Sequence, residues 1–165
     1  MRYCLLLSVL CVLAVPAETD GGEEQLQCFS YVTTGDSYSI LVLSALWDGE
    51  PIPAGYEIAV FDGALCVGGE ETTGEYPLGF AAWEDDDQTA VKDGYACEQT
   101  MLFKICYPHQ SGTQSVCDDQ YIRVVYREGD GLFCTGAIAV IDTLECLLPT
   151  PSSGYTWGML KSLYR

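Results

Sequence analysis

Short runs of β-branched and aromatic residues alternate along this chain with clusters of Gly, Asp, Ser and Pro. Residues 26–33 and 38–44 are two such runs, and Thr34-Gly35-Asp36 between them predicts a hairpin. The pattern continues at 56–61, 64–67, 78–83, 101–107, 121–127 and 132–141. The separators are Asp48-Gly49-Glu50-Pro51, Asp62-Gly63, Asp93-Gly94, Ser111-Gly112 and Gly129-Asp130-Gly131. The run 121–127, its glycine turn and Leu132-Phe133-Cys134 predict the best-defined hairpin, with positive φ at the glycines. No window inside 26–147 carries a clean helical period. The expected fold is all-β: a two-sheet antiparallel β-sandwich, Ig-like or jelly-roll-like, of about eight or nine strands.

The two ends depart from this pattern. Met1-Arg2 followed by an apolar run to Val15 and the small-residue site Val15-Pro16-Ala17 predicts a signal peptide over 1–17. That run is too short to span a bilayer, and no later segment is apolar enough to do so. Residues 18–25 read as a flexible, polar N-terminal segment that could add a strand to a neighbour's sheet, and 26–147 as the domain. Residues 148–155 have linker composition. Over 156–165 a short amphipathic tail is expected, with Trp157, Leu160, Leu163 and Tyr164 on one face and Lys161 and Arg165 at its C-terminal end.

Composition narrows the function classes. The chain has 165 residues, 48% of them hydrophobic, and a formal net charge of −17, and loss of the leader would take one further positive charge with it. A field of that sign repels phosphate and anionic lipid, so nucleic acid is excluded as a partner, while cations and basic surfaces are attracted. Nine cysteines are present. Cys4 and Cys11 leave with the leader, and Cys28, Cys66, Cys97, Cys106, Cys117, Cys134 and Cys146 remain as disulfide candidates. That set is odd, so one thiol stays free or pairs with another molecule. None has C-x-x-C spacing, and a lone histidine cannot complete a zinc set. Spacing does not fix connectivity; Cys106 with Cys117 is the first pair to test, as a link between neighbouring strands.

Several motifs, in order, carry a resemblance. They are Gly55-Tyr56-Glu57-Ile58-Ala59-Val60-Phe61-Asp62, Leu65-Cys66-Val67-Gly68, Trp83-Glu84-Asp85-Asp86-Asp87-Gln88-Thr89, Asp93-Gly94, Phe103-Lys104-Ile105 and Gly129-Asp130-Gly131 with Phe133. Together, over residues 26–145, they resemble an uncharacterised β-sandwich module of secreted and cell-surface multidomain bacterial proteins. The resemblance implies a surface location, neighbours that include adhesion and carbohydrate-binding domains, and no established catalytic residues. The additional cysteines depart from it, against a simple repeat-linker role. The tail 156–165 is similar in style to C-terminal segments of some secreted bacterial proteins and reads as a sorting or docking tag.

Three constellations bear on chemistry. Asp85, Asp86, Asp87 and Asp93, with Glu84 secondary, could offer oxygen ligands to Ca²⁺; the competing reading is a solvated acidic loop. Asp48 and Asp62 read as turn formers. Trp47, Tyr56 and Tyr95 are candidate stacking faces for a polysaccharide, with Trp83 and Tyr76 weighed beside them; the competing reading is that such rings are core. His109, the only histidine, would have to anchor any hydrolytic triad. The expected function is therefore non-enzymatic: a secreted structural subunit of an extracellular assembly, built by strand addition and disulfide linkage with itself or another extracellular protein. A calcium-assisted carbohydrate- or protein-binding adhesion module is the alternative, and a hydrolase ranks last.

Overall fold

A computed structural model describes residues 23–108 and 114–147. The expected leader at 1–17, His109, the linker and the amphipathic tail fall outside those residues. The fold is all-β. Its first strands are β1 (Glu23–Gln25), β2 (Ser30–Val32), β3 (Ser37–Val42), β4 (Ala45–Trp47), β5 (Glu50–Pro51) and β6 (Ala54–Asp62). There follow β7 (Leu65–Thr73), β8 (Leu78–Trp83), β9 (Leu102–Pro108), β10 (Gln114–Cys117), β11 (Ile122–Glu128) and β12 (Ile138–Cys146). A single 3₁₀ turn, Asp119–Tyr121, joins β10 to β11.

One sheet has the order β10-β9-β6-β7 and is antiparallel throughout. Its central hairpin closes with Asp62 opposite Leu65, and Gly63, at φ +61°, takes the left-handed turn position that its missing Cβ permits. Strands β1 and β2 form a separate two-stranded sheet, and the other large sheet runs β5-β4-β12-β3-β8, with β11 on the free side of β12. Here the wholly antiparallel expectation is corrected: β12 pairs parallel with β3 and then with β4. Those two are halves of one extended run bent at Leu43 and Ser44, and bonds from Leu43 N–H to Ile141 O and from Leu144 N–H to Ser44 O carry the ladder across the bend. Such bends and the short β1 and β5 raise the strand count among the described residues to twelve.

Both larger sheets feed one core. Ile40, Val42, Leu78, Ala139, Ile141 and Leu144 from the mixed sheet pack with Ile58, Val60, Val67, Phe103 and Ile105 from the antiparallel sheet. Where β7 passes β8 the approach is close enough to require glycine: a Cβ on Gly68 would lie 2.0 Å from the carbonyl oxygen of Ala81. The central strand β6 is buried on both faces. Ile58 and Val60 point into the main core, whereas Ala59 and Phe61 form a second cluster with Cys66 on the opposite face.

The β1–β2 hairpin covers that second face. Phe29 meets the Phe61 ring edge-on at 5.5 Å, and Tyr31 donates its hydroxyl to Gly69 O at 3.1 Å. Beneath it Glu57, 1% exposed, accepts the N–H groups of Gln27 at 2.7 Å and Cys28 at 2.9 Å. Residues 23–25, expected to be flexible, are thus paired with residues 30–32. The anticipated hairpin between 26–33 and 38–44 does not form, because the Glu57 carboxylate and a Cys28–Cys106 disulfide hold this segment on the antiparallel sheet. The second anticipated hairpin is also corrected: β11 pairs with β12, and Leu132 bridges back to Thr100. Gly129 and Gly131 do take positive φ, at +96° and +83°.

Candidate functional site

The acidic loop after β8 is held by its own backbone. Asp85 Oδ1 accepts the N–H of Asp93 at 2.7 Å and of Gly94 at 3.3 Å, Asp93 Oδ1 accepts the N–H of Asp86 at 3.1 Å, and Asp86 Oδ1 accepts that of Gln88 at 2.8 Å. Gly94 lies so close to Glu84 and Asp85 that an added Cβ would sit 2.3 Å from the Glu84 carbonyl. Outside the loop, Asp62 Oδ2 accepts Ala96 N–H at 2.8 Å and pairs with Lys92 at 2.7 Å, and Glu84 Oε2 accepts the Thr135 hydroxyl. Asp62 therefore closes a turn, as expected, and also anchors this loop, while Asp48 occupies a left-handed turn position at φ 52°. Asp87 is exposed.

In three of the four carboxylates expected to bind calcium, one oxygen thus accepts main-chain N–H groups. Among the described residues no group of three or more His, Cys, Asp or Glu side chains converges to hold a metal ion. What the loop does form, with Thr34, Gly35 and Asp36, is an acidic cleft of about 340 Å³ lined by Glu84, Asp85, Asp86, Asp87 and Gln88.

The aromatic candidates divide. Tyr95 is fully buried, its ring stacked on Phe133 at 4.5 Å and 8°, so it is corrected from a ligand face to a core residue. Burial raises its hydroxyl above the usual 10.0, against a lowering contact with Thr135. Its position follows from the docking of residues 94 and 95 on β8, where Tyr95 N–H bonds Trp83 O at 2.8 Å and Asp85 N–H bonds Tyr95 O at 3.0 Å. Trp47 and Tyr56 are brought together at 5.8 Å, and Tyr56 stacks on Tyr107 at 4.6 Å. Trp47 and Tyr56 meet edge-on, Tyr56 and Tyr107 stack face to face, and Trp47 and Tyr56 also pack on the main core. Tyr107 was not singled out from the sequence; its place on β9 beside β6 is what recruits it.

The cysteines pair as Cys28–Cys106 and Cys117–Cys146. Cys106 with Cys117 is thereby corrected. In the ladder Cys106 faces Val116 and Cys117 faces Ile105, so the two sulfurs leave opposite faces of the sheet. Cys106 shares the outer face with Glu57 and meets the β1–β2 hairpin, whereas Cys117 points inward and ties the antiparallel sheet to β12. Cys66 is buried, and burial pushes its thiol up to about 11, opposed by a hydrogen bond with the Gly68 backbone. Cys97 and Cys134 are exposed neighbours.

The strands β5, β7, β8, β10 and β11 each end one of the two larger sheets, and β11 is the one that carries two arginines. β11 is hydrogen-bonded to β12 on one side, and among the described residues no strand lies on its other side. Ile122, Val124 and Tyr126 pack on the core, while Arg123, Val125 and Arg127 face out. The two arginines pair with Glu145 and Asp142 of β12. Among the described residues no helix is long and apolar enough to cross a membrane. No family model matches the chain, and no curated protein or solved structure is significantly similar to it.

Proposed function

We propose that the protein is a non-enzymatic structural subunit of an extracellular assembly such as a fibre, surface layer or matrix, and that copies join through the open edge of β11. The observation that carries this reading is that β11 bonds a neighbour on one side only. An unpaired strand edge is a template for a second chain. Electrostatics favour the same face. Of seven Lys and Arg in the chain, Arg123 and Arg127 both lie on β11, each neutralising a carboxylate of β12, in a molecule of net charge −17.

The core shared by the two sheets supports a sandwich of the Ig-like or jelly-roll kind, with the parallel β12 pairing as its departure. The two disulfides suit an oxidising, extracellular compartment. With β1 already paired in its own chain, β11 is a better joining element than residues 23–25.

Sedimentation of Val125→Glu tests the reading. Wild type is expected to self-associate as protein and salt concentrations rise, since screening relieves repulsion between acidic copies. Val125→Glu is expected to stay monomeric with an unchanged melting temperature. A wild type that remains monomeric throughout, or a variant that assembles equally well, would overturn the proposal.

A further inference from the structure

Among the described residues, three cysteines stand outside the two disulfides: Cys66, Cys97 and Cys134. The last two lie far apart in sequence, yet the backbone brings them side by side. Glu98 N–H bonds Phe133 O at 2.9 Å and Phe133 N–H bonds Gln99 O at 3.0 Å, extending the bridge between Thr100 and Leu132. Glu98 adopts φ +65°, an uncommon conformation for a residue with a Cβ, and so turns the chain at Cys97. The Cys97 sulfur then lies 3.6 Å from Phe133 O, next to the following residue, Cys134. A hydrogen bond with Cys97, then its charge, holds the Cys134 thiol above its ordinary 9.0.

We propose that Cys97 and Cys134 are the site of a third disulfide, solvent-facing and reversible, which clamps the loop between β11 and β12 onto the segment preceding β9. The chemistry needs a disulfide oxidant, for which oxidised glutathione serves. The Cys97 thiolate, its proton released to solvent, attacks one glutathione sulfur, forming a mixed disulfide and expelling one glutathione thiolate. Cys134 then loses its proton and attacks the Cys97 sulfur, and the second glutathione leaves. Two protein thiols are oxidised by two electrons, and one glutathione disulfide is reduced to two thiols.

Among the described residues the pairing leaves one cysteine over. Cys66 is the residue left over, buried at 8% exposure and poorly ionised, and so unable to cross-link copies. Joining at β11 is then non-covalent. Accessibility also sets an order of reduction: Cys106, Cys117 and Cys146 are buried and Cys28 is half-buried, so the exposed bridge yields first.

Peptide mass mapping of the full chain after incubation with oxidised glutathione tests this, with Cys4 and Cys11 distinguished by their own peptides. The expected result is a Cys97–Cys134 linked peptide in monomeric protein, no alkylation at either residue before unfolding, and alkylation of Cys66 only after it. Limiting dithiothreitol should then expose Cys97 and Cys134 about tenfold or more faster than the other bridges. Cys97→Ser should turn Cys134 into an accessible thiol that dimerises on a non-reducing gel. Cys97 and Cys134 alkylated in the native oxidised protein, or linked to other cysteines or to another chain, would overturn the proposal.

Discussion

Replacing Glu57 by alanine tests how the β1–β2 hairpin is held. The carboxylate is 1% exposed and satisfies two backbone donors, Gln27 N–H and Cys28 N–H. Each donor orphaned in a buried site costs about 1–3 kcal/mol. Gln27 is exposed and Cys28 half-buried, so water can partly replace the lost acceptor, and the expected total falls at about 2–3 kcal/mol. For a domain of this size that is roughly 5–10 °C of melting temperature. Glu57→Gln keeps one carbonyl acceptor and should cost about half as much. The Cys28–Cys106 bridge still tethers the hairpin, so the damage should be local, with faster hydrogen exchange at residues 27 and 28 and at 30–32. Urea unfolding under non-reducing conditions, read beside amide exchange, gives both quantities. A Glu57→Ala protein within about 0.5 kcal/mol of wild type, with unchanged exchange at 27 and 28, refutes the claim that this carboxylate docks the hairpin.

Gly68→Ala should destabilise by about 3 kcal/mol in urea melts, because its Cβ would lie 2.0 Å from Ala81 O and neither strand can yield cheaply. Cys117→Ala combined with Cys146→Ala should cost about 3–4 kcal/mol, since that bridge closes a loop of sequence separation 29 and joins the sheets. Alkali should weaken the fold. Burial, then Tyr38 and Asp130, holds the Tyr126 hydroxyl at about 12 against 10.0, and burial holds Cys66 at about 11 against 9.0. The unfolded chain therefore loses these protons first, so their contribution is complete below the ordinary values and drains away as pH rises from about 9 to 12. Urea midpoints across that range should fall, and Tyr126→Phe should flatten the upper part of the slope; a flat wild-type profile contradicts the assignment.

Much of the fold was legible where local chemistry dictates it. Gly63 between apolar runs marked the β6–β7 turn, and the β-branched and aromatic run 121–127 marked a strand that is found at Ile122–Glu128. Strand direction was not legible, because a period of two is the same for parallel and antiparallel neighbours; β12 beside β3 and β4 is the case in point. Cysteine pairing failed for a related reason: a one-residue offset sends Cys106 and Cys117 to opposite faces. In the acidic loop, composition does not reveal that Asp85 and Asp93 accept main-chain N–H groups. Glu57 did leave a trace, as the one charged residue inside the apolar run 56–61, and a carboxylate in a strand buried on both faces must have buried donors.

Amide hydrogen exchange along β11, compared between dilute protein at low salt and concentrated protein at high salt, addresses the joining edge directly. Assembly through β11 predicts new protection within residues 122–128 that appears with the oligomer and is absent in Val125→Glu. Oligomers that form while those amides exchange as they do in the monomer would contradict the account.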